Sequence, residues 1–339
     1  MKRFVLILMM SLAAAGLWAQ TSLSGFQTGF QNFVTDMAAT LSYNATIGNN
    51  WSDAYIGGFP HFGVGISAGI TTVPADSLKD LFTSMDVPIP STVADIGLPI
   101  PAAAISAKIG GLVLPFDVGL KAMVLPAAAT EALSAADIAA DYQLLGGNVR
   151  FALLKQNILM PDVSVGFGYN RMTGSISMPL DTSSQSYDFD VNGDIHTLTV
   201  ADPDLNMEWT TDSFDFTLQV SKSILFLRPY MGAGYSFGKS TVNGGMQATM
   251  TYYNGTADTT EVIDENNLQT LKDSLAEANI SIPDIDATGF KFGSENTDPV
   301  LRIYGGLSFD LFIVMLDTQV TFVPKTGSLG GTASIRIQL

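Results

Sequence analysis

The sequence predicts an all-β protein: an antiparallel transmembrane β-barrel of 12–14 strands, with 14 expected, behind an N-terminal helical plug. Three observations point there. Charged residues make up only 14% of the 339, against about 25% in soluble domains, and the mean hydropathy is +0.27. Beyond the N-terminus no apolar run approaches the ~18 residues that a spanning helix needs; the longest is Leu311 to Leu316. The third is a period-two alternation of apolar with small or polar residues along most of the chain. An apolar chain without spanning helices can cross lipid only as a closed sheet, because an open edge would leave backbone groups without partners.

Lys2 and Arg3, the apolar run Phe4 to Leu17 and the small Ala19 have the order of a secretory signal peptide, here 1–19. Removing it makes the acidic balance (32 acidic against 16 basic side chains) larger still. Residues 20–58 form the expected plug segment. In it Phe26, Phe30, Phe33, Met37 and Leu41 recur at helical spacing and give one apolar stripe. Such a helix has three places to go: the lumen, the periplasmic mouth or the free periplasm. Trp51, Tyr55 and Phe59 make the segment too apolar for the last, and the lumen is the expected place.

The barrel is expected over 59–339, with strands near 60–71, 101–110, 115–125, 142–154, 161–179, 186–200, 212–222, 225–238, 240–253, 299–310, 312–323 and 329–339. Weaker segments near 289–293 and 205–210 would bring the number to 14. In the first strand Phe62, Val64, Ile66, Ala68 and Ile70 face one way, and His61, Gly63, Gly65, Ser67 and Gly69 the other. A soluble sandwich also alternates, but its outer face should be rich in Lys and Glu. Here the polar faces are Gly, Ser and Thr with isolated charges of both signs, as suits a wet lumen. Its expected lining charges are Lys108, Asp117, Lys121, Arg150, Arg228, Arg302, Asp310, Asp317 and Arg336.

Composition excludes much chemistry. Without cysteine there is no disulfide, thiolate or lipoprotein anchor, and two histidines leave little for a zinc site or triad. No cofactor, metal, enzyme activity or nucleic-acid partner is expected. Three motif matches fail on context. Ala233–Ser240 fits a relaxed phosphate-loop pattern, and Gly65–Gly69 a nucleophile elbow, but each lies in an alternating strand with no following helix. Asp188–Asp194 starts like a calcium loop, yet its twelfth position is Thr199 instead of Glu, and Asn192-Gly193 is better read as a hairpin turn.

Long insertions at 72–100, 180–211 and 254–298 belong outside the cell in this architecture. Leu78, Leu81, Phe82 and Met85 predict one helix, and Leu268, Leu271 and Leu275 another. These helices would either present a greasy mouth that collects hydrophobic molecules or cover one another as a cap. Phe26, Phe30, Phe33, Met37, Leu78 and Phe82 are the candidate ligand-binding or plug residues. Acidic residues cluster in 181–215 and 255–298, as solvated loop charge.

The Phe26–Leu41 helix, Gly57-Gly58-Phe59-Pro60 before the first strand, the Ile100–Pro126 hairpin and Met160–Tyr169 resemble the long-chain fatty-acid outer-membrane transporters. The resemblance also extends to a related group of uncharacterised envelope barrels. It implies a 14-stranded barrel in the bacterial outer membrane, an N-terminal plug and passive movement of hydrophobic ligands through a lateral opening. Expected partners are outer-membrane lipid, a hydrophobic small molecule and the barrel-assembly machinery. The alternatives are a diffusion porin for polar solutes and a non-transporting surface or adhesion barrel.

Overall fold

The computed structural model describes residues 23–57, 61–76, 78–79, 94–95, 97–111, 114–135, 137–179, 184–256, 260–280 and 284–339. The proposed signal peptide, Phe82 and most of the helix expected around it lie outside this set. Helix α1 spans Leu23–Asn44, α2 Ala127–Ser134 and α3 Leu268–Glu277. The strands are β1 (His61–Val73), β2 (Leu98–Gly110), β3 (Phe116–Val124), β4 (Ala139–Leu154), β5 (Asp162–Pro179), β6 (Gln185–Val191) and β7 (Asp194–Ser221). They continue with β8 (Leu227–Tyr253), β9 (Glu261–Val262), β10 (Asp284–Asp286), β11 (Gly289–Asn296), β12 (Val300–Leu311), β13 (Val314–Val323) and β14 (Ser328–Gln338).

All pairings are antiparallel, as expected, and the described residues form one 14-stranded sheet. The ring itself closes with fewer. Its order is β1-β2-β3-β4-β5-β7-β8-β12-β13-β14, and β14 pairs back onto β1 from Gly63↔Gln338 to Thr71↔Gly330. Followed from Val64 through Ala107, Leu120, Gly147, Tyr169, Phe214 and Phe237, the register moves steadily away from the strand starts, the stagger that tilts barrel strands. Strands β6, β9 and β11 stand on top of this ring, against the upper halves of β7 and β8, and β10 pairs with β11.

Two expected boundaries move for one physical reason. The segments 225–238 and 240–253 are a single strand, β8, and 212–222 continues upward into β7. In both, the alternation survives but its sense inverts. Along the lower part the outward residues are apolar (Phe214, Phe216, Leu218; Met231, Tyr235) and the inward ones polar (Asp215, Gln219, Ser236). Higher up, Met207, Val242, Met246 and Met250 are buried inside, while Glu208 and Lys239 face out. The strand leaves lipid for water at the point of inversion, so a change of solvent, not an end of strand, interrupts the sequence pattern. The expected strand 186–200 is instead the β6–β7 hairpin, turned at Asn192 and Gly193 with positive φ of 57° and 101°.

The outer wall of the ring is a belt of exposed Ile, Val, Leu and Phe, with Ile66 54%, Leu120 69% and Val320 63% accessible. A closed ring with such a belt is a transmembrane β-barrel of the bacterial outer membrane. Above it lies an apolar cap. The α1 stripe (Phe30, Phe33, Val34, Met37, Leu41) packs there with Met207, Phe290 and Phe292, and with Leu271 and Leu275 of α3. Phe30 and Phe292 meet with ring centroids 4.8 Å apart. The second of the two expected rim helices, α3, buries Leu271 and Leu275 in this cap; most of the first lies outside the described residues. Leu271→Ala should cost the cap about 2–5 kcal/mol; limited proteolysis should then cut between residues 254 and 299 faster while the ring fragment stays intact.

Candidate functional site

The lumen is filled by the chain itself. After α1 the backbone makes successive turns to Gly48, whose positive φ of 80° lets the chain change direction. Residues 49–56 then descend through the ring to the start of β1. The plug therefore has two parts: α1 above, against β8 and β11, and an irregular segment, 45–56, in the bore. Within the latter Trp51, Ser52, Asp53, Ala54, Tyr55 and Ile56 are all buried. Gly63 and Gly234 are explained by the same crowding: a Cβ on either would meet Trp51 or the Arg302 guanidinium at 2.7 and 2.4 Å.

All nine expected lining charges point inward. Arg150 clamps Asp117 through Nε and Nη2 at 3.0 and 2.7 Å, and Arg302 clamps Asp215 at 2.6 and 2.7 Å. Arg228 reaches Asp310 at 2.7 Å, and Arg336 Nε reaches Asp317 at 2.8 Å. Arg336 also holds Asp53 and the Ser52 hydroxyl, and Arg228 lies 3.9 Å from Asp53. The two lysines bind backbone: Lys108 Nζ donates to the Asn49 carbonyl, and Lys121 Nζ to those of Ala45 and Ile47 at 2.6 and 2.7 Å. Asp117 additionally accepts from the Ile56 amide at 2.8 Å, and Gln219 donates to the Trp51 carbonyl at 2.6 Å.

Asp53 is thus the hub that the sequence pattern missed. It lies outside the alternating strands, and its one signal was being the sole acid between Asn44 and Pro60. Beside this knot a polar cavity of about 40 Å³ is lined by Asn44, Ser67, Thr71, Arg302, Asp317 and Gln319 among others. That holds a few waters, not an acyl chain.

The candidate ligand residues lie apart from the charges. Phe30, Phe33 and Met37 are buried in the cap, and Leu78 joins the same cluster. Phe26 is on α1, with its side chain outside the description. Tyr187 of β6 belongs here too; burial pushes its phenol up to about 12, so it stays neutral. The cap cluster extends to Leu98, Ile100, Met123 and Tyr142, which surround a break in the wall. Strand β3 ends at Val124, and β2 pairs with it only from Ile105 downward, so Leu98–Ala104 has no described strand partner on that side. Tyr142 of β4 spans the break, its hydroxyl 3.4 Å from the Ala103 carbonyl.

A family model described as "Family of unknown function (DUF6588)" matches residues 67–283, more than half of the chain. The chain belongs to this family. No curated protein matches it. Among solved structures, the DUF6588 chain is similar to the translocator domain of the autotransporter NalP from Neisseria meningitidis, at 8% identity and a TM-score of 0.35, covering 91% of this chain and 98% of that one. LpxR from Salmonella typhimurium follows at 9% and 0.27 (81% and 99% covered). The CymD monoaromatic hydrocarbon channel gives 8% and 0.23 (87% and 90%).

Breaking a buried pair from one side costs about 3–5 kcal/mol, because the other charge is left uncompensated. Asp53→Ala should therefore release the bore segment, and planar-bilayer recording should show ion-conducting openings that the parent protein lacks.

Proposed function

We propose that this outer-membrane barrel passively takes up hydrophobic small molecules of fatty-acid-like character. Ligand would be received in the apolar cap and passed sideways into the membrane. The observation that carries this reading is the continuity between the cap's apolar interior and the wall break between β2 and β4. A route straight down the bore is opposed by residues 45–56, which occupy it and are tied to both walls. The same obstruction weighs against a diffusion porin for sugars. The break sits where β3 stops, level with the upper edge of the apolar belt, so a lateral exit would deliver ligand into the outer leaflet.

In this reading α1 acts as a gate. Phe30, Phe33 and Met37 fill the cap when no ligand is present, and an acyl chain would replace their contacts with equivalent apolar ones. Displacement of like by like costs little hydrophobic free energy, which suits an energy-independent carrier. The lumen charges would hold the segment below α1 fixed while the helix shifts.

The test is uptake of a labelled long-chain fatty acid by cells that depend on this barrel, with liposome swelling in sugars alongside. Uptake without swelling is expected, and Ile100→Asp at the break should reduce it about tenfold, the order of one strongly unfavourable polar burial. Swelling without fatty-acid uptake would replace this reading by the porin; neither activity would favour a surface barrel.

A further inference from the structure

The short turns at the strand-start end of the ring have an unexpected composition. In this architecture they face the periplasm, where polar turns are the rule. Here three consecutive turns around the ring carry the apolar triplets Ile158–Met160, Ile224–Phe226 and Leu311–Ile313, and the fourth exposes Leu114. Their tips are almost bare: Ile158 is 95% accessible, Leu225 89% and Phe312 100%. Leu225 and Phe312 also adopt positive φ of 56° and 58°, a conformation that favours Gly or Asn. Large apolar side chains are thus placed in full exposure at positions where the backbone disfavours them.

We propose that these tips are inserted in the inner leaflet of the outer membrane, so that the barrel ends within lipid instead of in periplasmic water. Three further observations support phospholipid as the occupant. First, the triplets lead into the lipid-facing belt: above the Ile158–Met160 turn the outward positions of β5 are Val163, Val165 and Phe167, and after Leu311–Ile313 β13 begins directly with Val314.

Second, the belt needs them for height. Its upper edge is marked by the Tyr169–Phe214–Phe237 aromatic cluster, capped by the Arg171–Asp212 and Lys239–Glu295 ion pairs. From Asp162 to Asn170 the chain climbs about 21 Å at ~3.4 Å per residue and a tilt near 40°. The apolar band of such barrels is about 25 Å tall, and the turn tips make up the difference.

Third, several backbone groups of these turns are paired inside the protein, which lowers the cost of leaving water. Asn157 Oδ1 accepts from the amides of Leu159 and Met160, both at 2.9 Å. Lys222 Nζ, from the neighbouring turn, donates to the carbonyls of Asn157, Ile158 and Met160. Ile224 and Leu227 exchange two backbone bonds at 2.8 and 3.0 Å. The Phe226 carbonyl accepts from the Asp310 amide at 2.8 Å, and the Ile313 carbonyl from the Gln338 amide at 2.9 Å.

The absence of cysteine allows a clean test. Leu225→Cys and Phe312→Cys would each be labelled with a polarity-sensitive fluorophore in the full chain, reconstituted in phosphatidylcholine vesicles with or without brominated acyl chains. Leu218→Cys in the belt and Glu265→Cys before α3 serve as lipid and water references. The tip labels should be blue-shifted, quenched by brominated lipid as strongly as Leu218→Cys, and shielded from iodide. The proposal is overturned if both tips behave like Glu265→Cys while Leu218→Cys is quenched; a periplasmic protein would then be the better occupant. That outcome leaves the barrel and the uptake reading intact, whereas loss of quenching at Leu218→Cys as well would remove the membrane barrel itself.

Discussion

The arrangement of the bore depends on a single electrostatic requirement. Six basic side chains (Lys108, Lys121, Arg150, Arg228, Arg302 and Arg336) point into a narrow ring, most of them out of reach of solvent. Isolated charges there would be costly, so each must find a carboxylate or a carbonyl. Wall aspartates serve several of them, but Asp53 and the carbonyls of Ala45, Ile47 and Asn49 belong to the segment threaded between the walls. Wall and plug are therefore electrostatically incomplete without each other. That mutual need holds an otherwise irregular stretch of backbone in one path.

The same strands serve two environments. Below the aromatic cluster the barrel is inside out, apolar toward lipid and polar toward the bore. Above it β7 and β8 continue as ordinary water-facing sheet, with the apolar side turned in against α1 and α3. The cap and the membrane ring are built from continuous strands, so a movement of the cap is mechanically linked to the upper edge of the wall. The short β3 makes that edge uneven, and Leu98, Ile100, Met123 and Tyr142 around it pack against the cap's apolar cluster.

Much of this was legible in the sequence. Alternation located the ring strands to within a few residues, the α1 stripe was visible at helical spacing, and the inward charges could be read from the polar phase. The ring size was harder to read. Lys239 interrupts an outward apolar series and so looks like a strand end, although β8 passes through it without a break. Asp53 was hidden for the opposite reason: it lies in a segment without periodicity, and its importance comes from Arg336 and Arg228, almost the whole ring away in sequence. The apolar turn tips were not singled out by the alternation, because only the geometry shows that Ile158, Leu225 and Phe312 are bare.

The central claim is that residues 45–56 occupy the bore as a fixed part of the barrel. Hydrogen–deuterium exchange on the membrane-reconstituted protein tests it directly. The Lys121-bound turn, Ala54 and Ile56 should exchange as slowly as the ring strands β1 and β14. Exchange of this segment at the rate of a free chain, with the ring still protected, would contradict the account.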